Sequence, residues 1–409
     1  MCFECVSYPE LEQVLSLFPS ILGSRVLFTP NFASKNELVR ATALFTSPER
    51  AASGAPIEDL LPFITVDNSW MIDTWGSSAL RNSRIFVRVD PGCDGYGHHS
   101  YVNTGLQSKF GIEQNTIRSA AFQTKLAECG ITIIGLHMHK GSGLGDPEEW
   151  ARSARSLLSL AKDSCPHVKY LDLGGGLGVS YRPNHGAPLS LAAVDAALAP
   201  VVADHPEVTF CIEPGRYFVA ECGALVARVT QLKRKATHRF VGVSCGMTHL
   251  IRPALYQSYH HIVNLTKFRY VLDKGTCFNL GKEKKKKKKK KKSSFFFQKK
   301  KKIFIYRNVY LREATEQATE MANEPEHDFT ATDAAEQSCD EDAVPKSLIV
   351  EVVGPICESG DFLGHGRVFP VDTDENDLVL IDNTGAYGRV MASDYNLRSP
   401  GPEIFLEDV

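Results

Sequence analysis

The sequence lacks any apolar run of the length that a membrane span requires. No window of its 409 residues approaches the roughly 18 to 20 apolar residues that cross a bilayer. Glu4 follows closely after Met1, at a position where a secretory signal carries its apolar segment. These absences favour a cytoplasmic protein without a membrane partner.

The cysteines lack the pairing of a disulfide framework. The chain has 11 of them, and most stand alone inside apolar stretches, as Cys129 and Cys211 do. This usage is typical of a reducing compartment. Cys2 and Cys5 form a C-x-x-C, but no second pair accompanies them, and an isolated motif is weak support for a functional site.

Residues 270–346 lack any sustained helical or strand period. Nine consecutive lysines at 284–292 are offset by acidic residues between Glu313 and Asp342, so the formal net charge of the whole chain is only −2. Such charge blocks are typical of disordered segments. Because the lysines are not tied to a folded face, we do not expect nucleic acid as a partner. We interpret 270–346 as a disordered insertion. Since A-rich and T-rich codons specify Lys and Phe, we hypothesise that its stretch 281–307 derives from untranslated or intronic sequence.

What the sequence does contain, from residue 1 to 218, is an alternation of short strands with helical segments. The helical segments repeat their apolar residues at spacings of three and four. This alternation predicts parallel strands joined by crossovers, as in a (β/α) barrel, with a doubly wound open sheet as the alternative. The seven strand-like runs are FECVS (3–7), VLFTP (26–30), FITVD (63–67), IFVRVD (85–90), TIIGLHMH (132–139), VKYLDLGG (168–175) and TFCIEPG (209–215).

From residue 219 to 409 the pattern changes to strands with turn signals between them. ALVARVTQLKRK, RFVGVSCG, SLIVEVVG and DLVLIDNTGAY are β-rich, and no helical segment of comparable length separates them. We predict a C-terminal all-β domain that the 270–346 insertion interrupts.

Polar groups follow three neighbouring strands of the predicted barrel. His137 and His139 follow the fifth run, three glycines at 174–176 the sixth, and Glu213 and Arg216 the seventh. The carboxyl ends of barrel strands are where chemistry occurs, and glycine backbone N–H groups approach anions closely. We therefore predict a phosphorylated cofactor there. A zinc site is not expected, because H-x-H lacks a third ligand at metal spacing.

Two phrases of the β domain also carry candidate chemistry. Arg252 and Tyr256 are four residues apart, so on a helix they would lie side by side and could bind a carboxylate. Cys357 and Glu358 stand between Pro355 and Gly360 in a predicted loop, and combine a potential proton donor with an anion.

The motifs resemble those of a known family. HMHKGSG, YLDLGGGLG, CIEPGRYFV, GMTHLIRPALY, GPICESGDFL and GAYG occur in this order, as in the pyridoxal-phosphate-dependent decarboxylases with an alanine-racemase-like barrel. Within that family they are most similar to the diaminopimelate decarboxylases, including the decarboxylase modules fused to aspartate kinase. The resemblance implies decarboxylation of meso-diaminopimelate to L-lysine.

The resemblance also implies a binding site for pyridoxal 5'-phosphate (PLP). His139 would stack on the pyridine ring, and Glu213 would bond the ring nitrogen and so keep the ring an electron sink. Arg216 would lie beside the cofactor. The phosphate would be held by Ser142, Gly174, Gly175, Gly176 and Tyr387.

The same resemblance implies that residues of both predicted domains bind the substrate. Arg216, Arg252 and Tyr256 would grip the carboxylate that is not lost. Glu358 would contact the other end of the substrate, and Cys357 would supply a proton to the carbanion. In the family the last two come from a second subunit, which implies a homodimer with shared active sites.

One departure from the family is the catalytic lysine. The family carries it in a first barrel strand, before the FECVS phrase, and Lys35, Lys109 and Lys140 do not match its position. We therefore expect a barrel without its first strand and a chain that is inactive alone. A non-catalytic paralogue, a regulatory binding protein of the same fold, or a related ornithine or arginine decarboxylase is the alternative.

Overall fold

The computed structural model describes residues 2–92, 108–182, 189–267, 270–272, 276–278 and 347–405. The chain forms two compact units, one from residues 1–179 and 188–217 and the other from residues 180–187 and 218–409. The lysine run and most of the predicted insertion lie outside the described residues, so the insertion stays a prediction.

Seven parallel strands of the first unit, as far as it is described, follow one another in the sheet in the order in which they occur in the chain. A doubly wound sheet reverses its strand order, whereas a barrel does not, so the predicted barrel topology is confirmed. β1 and β8 are the two edges of this described sheet, and β5 pairs only with β4. The strands are β1 (Phe3–Cys5), β2 (Val26–Phe28), β3 (Phe63–Val66), β4 (Arg84–Asp90), β5 (Ile112–Glu113), β6 (Thr132–His137), β7 (Tyr170–Asp172) and β8 (Thr209–Cys211).

Helices connect these strands, and side-chain caps begin several of them. Ser34, Asn68, Ser119 and Ser190 each accept a hydrogen bond from a backbone N–H of the first helical turn, which satisfies a donor that the helix cannot. The helices are α1 (Tyr8–Leu17), α2 (Lys35–Phe45), α3 (Pro48–Ala51), α4 (Ile57–Leu60), α5 (Ser69–Trp75), α6 (Gln114–Arg118), α7 (Ala120–Cys129), α8 (Glu148–Ser164), α9 (Leu191–Asp204) and α10 (Gly215–Val219).

The core of the first unit lies between the sheet and these helices. Val66, Val87, Leu136 and Leu171 are fully or almost fully buried on successive strands, and they pack with Trp150 of α8 in one cluster. Burial of both faces explains why the strand runs in the sequence are almost continuously apolar. The seven predicted strands are therefore confirmed, although most are shorter than the predicted runs.

The second unit contains a mixed six-stranded sheet in the order β11-β16-β9-β10-β14-β15. Its pairs are antiparallel except β10 with β14, and the predicted C-terminal β domain is confirmed. The sequence patterns missed β11 and β15. The strands are β9 (Leu225–Lys235), β10 (His238–Val243), β11 (Ile262–Asn264), β12 (Tyr270–Leu272), β13 (Thr276–Phe278), β14 (Ser347–Val353), β15 (Phe362–Pro370) and β16 (Leu378–Ile381), and α11 spans Arg252–Tyr256.

β12 and β13 form a separate antiparallel pair inside the range predicted as an insertion. The six-stranded sheet has its own core, in which Val243, Val352, Val379 and Ile381 are buried. Among the described helices of both units, none combines the length and apolarity that a bilayer crossing needs.

Candidate active site

Three ionisable side chains converge where β6, β7 and β8 end. His137 is the last residue of β6 and pairs in register with Asp172, the last residue of β7, while Glu213 follows β8 by two residues. One ligand atom of each residue lies within 4.8 Å of the others. The prediction of a site at these strand ends therefore has a geometric basis, although Asp172 was not among the predicted residues. This donor set would also suit a divalent metal.

The glycines after β7 allow the strand ends to approach one another. Gly174 and Gly176 have φ values of +67° and +100°, which side chains with a Cβ rarely adopt. A Cβ on Gly174 would lie 2.9 Å from His139, one on Gly175 would lie 2.7 Å from the Glu213 carbonyl oxygen, and one on Gly176 would collide with the Gly141 carbonyl oxygen. Glycine at all three positions is thus a steric requirement of the close packing between residues 174–176 and the neighbouring strand ends.

The amides of two of these glycines are already engaged by neighbouring side chains. The Gly174 N–H donates to Oδ1 of Asp172 at 2.9 Å, and the Gly175 N–H donates to Nδ1 of His139 at 3.1 Å. A nitrogen that accepts carries no proton. Burial first, and then the positive charges of His137 and Arg88, lower the pKa of His139 to about 4. His139 is therefore a neutral, half-buried imidazole.

Glu213 is the anionic centre of the site. Its Oε2 lies 3.6 Å from Nε2 of His137, and its Oε1 has no hydrogen-bond partner among the described residues. Burial raises the pKa of Glu213, but the charge of His137, and then those of His139 and Arg88, outweigh it, so the net pKa lies below the usual value. Burial lowers the pKa of His137, but Glu213 and then Asp172 outweigh it, so the net pKa is raised.

Two further carboxyl groups near Glu213 resist ionisation. Burial, followed by the charge of Glu213, raises the pKa of Asp172 to about 6. The same causes raise the pKa of Glu4 to about 7. Glu4 is nevertheless an exposed residue, because it lies on β1, an edge of the sheet. The sequence analysis missed Glu4 and Asp172, whose only signal is an acidic residue inside an otherwise apolar strand.

A cation held by several contacts lies on β4, the strand that pairs with β6. Arg88 of β4 is 3.8 Å from Oδ1 of Asp67 and stacks at 4.1 Å on the ring of Phe110. Asp67 also accepts hydrogen bonds from the Asn31 side chain at 2.7 Å and from the Gly111 N–H at 3.1 Å. These contacts hold Arg88 close enough to His139 and Glu213 to lower the pKa of both.

Ser142 and Arg216, predicted as ligands of the phosphate and of the substrate, lie next to this cluster in the chain. Ser142 is in the loop after β6, which a parallel bridge between Leu144 and Leu177 ties to the glycine segment. Arg216 is in α10, three residues after Glu213, and its charge contributes to the lowered pKa of His139. Both assignments stay predictions.

Lys140 follows His139 but is engaged in an ion pair. Its Nζ lies 2.8 Å from Oε2 of Glu149, and Glu149 also accepts from Arg152, which in turn binds Asp146. Hydrogen bonds from Arg152 and Lys140 lower the pKa of Glu149 to about 2. This network holds the loop after β6 to the start of α8.

The second unit carries the predicted carboxylate-binding pair. Arg252 and Tyr256 are the first and last residues of α11, and Arg252 is 3% exposed. The side chain of Arg252 contacts His260 through a 2.8 Å hydrogen bond. Tyr387 lies in the GAYG turn with a φ of +59° and is 42% exposed.

Cys357 and Glu358 are exposed in a loop that Asp361 organises. The buried carboxylate of Asp361 accepts from the Met247 N–H at 2.6 Å and from the Ile356 N–H at 2.8 Å. The Cys357 N–H donates to Oδ1 of Asn396 at 2.9 Å. The sequence analysis missed Asp361, whose partner Met247 lies 114 residues away in the chain.

The chain matches two family models. The pyridoxal-binding domain of the pyridoxal-dependent decarboxylases matches residues 1–220, and the C-terminal sheet domain of the same decarboxylases matches residues 282–385.

Curated relatives cover much of the chain. It is 27% identical to a diaminopimelate decarboxylase of Campylobacter jejuni, over 99% of this chain and 78% of the relative. It is 29% identical to one of Pseudomonas fluorescens, over 99% of this chain and 76% of the relative. A relative from Aquifex aeolicus is 27% identical over 80% of this chain, and the match spans 60% of the relative.

Solved structures share the fold. The diaminopimelate decarboxylase of Helicobacter pylori in complex with L-lysine superposes with a TM-score of 0.68 at 22% identity, over 99% of this chain and 79% of that one. The arginine decarboxylase of Paramecium bursaria Chlorella virus with agmatine has a TM-score of 0.63 at 17% identity, over 97% and 80%. With the barrel unit matched throughout and its strand-end cluster in place, the chain belongs to the pyridoxal-dependent decarboxylases.

Proposed function

We propose that the chain serves the PLP-dependent decarboxylation of meso-diaminopimelate to L-lysine. Curated relatives named diaminopimelate decarboxylase support the substrate, and solved relatives in complex with L-lysine support the product. Because some matches span only 60% of the relative, the activity of the whole enzyme is part of the proposal.

The observation that carries the proposal is the Glu213 carboxylate. It is held ionised by His137, and its buried Oε1 lacks a hydrogen-bond partner among the described residues. A buried anionic oxygen of this kind is costly unless a charged donor pairs with it. The protonated ring nitrogen of PLP is such a donor, and the neutral imidazole of His139 is suited to stack on its ring. The residues present therefore fit the cofactor.

PLP, when bound, supplies an electron sink for the electron pair that the departing carboxyl group leaves behind. The chain's own contribution is to bind and orient. We assign Glu213 to keep the proton on the ring nitrogen. We assign the phosphate to Ser142, Tyr387 and the three glycines at 174–176, whose lack of a Cβ permits close approach of a ligand.

On the substrate side, we assign the retained carboxylate to Arg216, Arg252 and Tyr256. Guanidinium groups bind carboxylates through paired N–H donors. We assign the distal end of the substrate to Glu358, and the proton that replaces the lost carboxyl group to the Cys357 thiol.

Cys357 and Glu358 are exposed in their loop, and we propose that they serve the site of a second subunit in a homodimer. We place the protein in the cytoplasm. Cysteines such as Cys222 and Cys357 are free although exposed, which suits a reducing compartment.

We further propose that this chain alone does not complete a reaction cycle. Among the lysines of the described barrel unit, Lys140 is paired with Glu149, and Lys109 lies over the rings of Phe32 and Phe110. We therefore assign neither of them as the nucleophile.

The test is to load the purified chain with PLP and follow three measurements. Calorimetry with meso-diaminopimelate, ornithine and arginine should give binding of the first only. Borohydride reduction followed by peptide mass spectrometry should find no lysine joined to the cofactor, and CO2 release should be absent. Preferred binding of arginine would replace the proposed substrate, and CO2 release with a labelled lysine would overturn the inactivity.

A regulatory binding protein of the same fold is the second candidate, which the engaged lysines favour. It predicts that the chain binds PLP or an active relative without turnover, even when a first-strand segment carrying a lysine is joined to its amino end. Restored CO2 release in that fusion would instead support the decarboxylase assignment.

A further inference from the structure

A buried imidazole contacts the predicted carboxylate-binding arginine within the second unit. His260 is 0% exposed and Arg252 is 3% exposed. Nη1 of Arg252 lies 2.8 Å from Nε2 of His260. His260 was not among the residues that the motifs predicted, and no role has been assigned to it above.

The two contacts of the His260 ring determine its protonation state. A guanidinium can only donate, so Nε2 of His260 must accept and carries no proton. Nδ1 lies 2.9 Å from the backbone carbonyl oxygen of Asp382, which can only accept, so Nδ1 carries the proton. The ring is therefore a neutral imidazole with its hydrogen on Nδ1.

An aromatic ring completes the setting of the guanidinium. Cζ of Arg252 lies 4.6 Å from the centroid of the Tyr181 ring, within the range of a cation–π contact. The same ring meets His260 edge-on, with centroids 5.1 Å apart at 73°. His260 thus fixes the edge of the guanidinium and Tyr181 supports its face.

We propose that His260 is a positioning residue that orients Arg252 for the carboxylate of the substrate. A neutral acceptor fixes the direction of the guanidinium without adding a negative charge to it, whereas an acidic residue in the same place would compete with the ligand. The backbone carbonyl of Asp382 keeps the acceptor nitrogen turned toward the arginine. The inference rests on the proposed function only in naming the ligand of Arg252.

Two substitutions separate the two contacts of His260. In His260→Asn the short amide can still donate to the Asp382 carbonyl but does not reach Arg252. In His260→Gln the longer side chain can place an amide oxygen where Nε2 was. His261→Asn is the matched control, because His261 is the next residue and its Nδ1 lies 3.3 Å from the Tyr259 hydroxyl.

The first readout is nitrogen-15 NMR of the full chain, labelled at histidine and arginine. We expect the His260 signal to report the Nδ1–H tautomer, and the Arg252 guanidinium to show restricted rotation. His260→Asn should release that rotation, and His260→Gln and His261→Asn should preserve it. A protonated His260, an Nε2–H tautomer, or a guanidinium equally restricted in His260→Asn would overturn the proposal.

The second readout is calorimetric binding of meso-diaminopimelate to the PLP-loaded chain. Loss of one hydrogen bond to a charged group predicts about tenfold weaker binding in His260→Asn, and a change of less than about threefold in His260→Gln. Equal weakening in both would contradict positioning by the acceptor. If the wild type itself does not bind diaminopimelate, the proposed substrate fails, while NMR still decides whether His260 orients Arg252. Should His260→Asn not fold, the wild-type tautomer and His260→Gln remain decisive.

Discussion

The two units solve the placement of charge in opposite ways. At the strand ends of the barrel, Asp172 and Glu213 crowd around His137 within 4.8 Å. In the sheet unit, Arg252 is held by a neutral imidazole and a tyrosine ring. The first site is built from ionisable groups that perturb one another, and the second from groups whose charge does not change.

The difference follows from what each site is proposed to bind. The barrel cluster raises the pKa of Asp172 to about 6 and that of Glu4 to about 7, as expected for carboxyl groups near a like charge. A cationic ring nitrogen would relieve that crowding. The Arg252 site offers a cation to an anionic substrate, and a neutral scaffold orients that cation without competing for it.

The largest effect is expected where the barrel backbone brings its ionisable groups together. Gly176→Ala places a Cβ against the Gly141 carbonyl oxygen at a φ of +100°, so we expect a loss of about 4 kcal/mol from overpacking and backbone strain together. Trp70, Trp75 and Trp150 are the three tryptophans of the chain and belong to the first unit. Urea unfolding followed by tryptophan emission therefore reports on that unit.

Gly54→Ala is the matched control for this substitution. Gly54 also has a positive φ, +75°, but a Cβ there would meet no atom of the described residues within 4 Å. We expect a loss of only about 1 kcal/mol from the backbone conformation. Equal losses of stability in the two variants would show that close packing against Gly141 is not the reason why position 176 requires glycine.

The next effect tests the crowding of carboxylates through pH. Asp172 has a folded pKa of about 6 against an ordinary value of 3.8, so its ionisation costs the folded unit stability as pH rises through this window. Asp172→Asn removes that cost and keeps an oxygen for the Gly174 N–H. The variant should match the wild type near pH 4 and exceed it by about 3 kcal/mol at pH 7.

Tryptophan-monitored urea unfolding at several pH values measures this difference. Because wild type and variant share His139, the pH dependence of that residue largely cancels in the comparison. Asp195→Asn, at an exposed position of α9, serves as the control and should show no such trend. A constant offset across pH would mean that Asp172 is not ionised at a cost.

The sequence predicted the strands and helices better than the contacts between residues that lie far apart in the chain. Strand runs were found because burial on both faces makes them apolar, and His139 and Glu213 were predicted because they follow such runs. β15 was missed because GHGR, at residues 364–367, interrupts its alternation of apolar and polar residues. His260 was missed because its partner Asp382 lies 122 residues away, a distance that no local pattern spans.

Within the barrel unit, too, the strand order was predictable from the sequence and the electrostatics of its carboxyl groups were not. The parallel order of the barrel strands followed from local alternation, whereas the raised pKa of Glu4 depends on Glu213 from the opposite edge of the sheet. Side chains that act on one another across strands are placed by packing, and packing is not readable from one strand at a time.

The smallest effect tests the neutral character of the sheet unit. Burial lowers the pKa of His261 from 6.5 to about 4, with the charge of Asp382 opposing this shift and that of Arg367 adding to it. Tyr259 is the hydrogen-bond partner of His261. A lowered histidine pKa means that folding stability is lost as pH falls from 6.5 toward 4. Between pH 7 and pH 5, the free energy of unfolding of the wild type should fall by about 2 kcal/mol more than that of His261→Gln.

Amide exchange of β9 and β16 measures this difference in the unit without tryptophan. His365→Gln, at an exposed histidine paired with Glu351, is the control. If His261→Gln and the wild type lose equal stability in acid, the sheet unit does not depend on a neutral imidazole at this position. His260 would then be the one neutral imidazole that still supports the contrast between the two units.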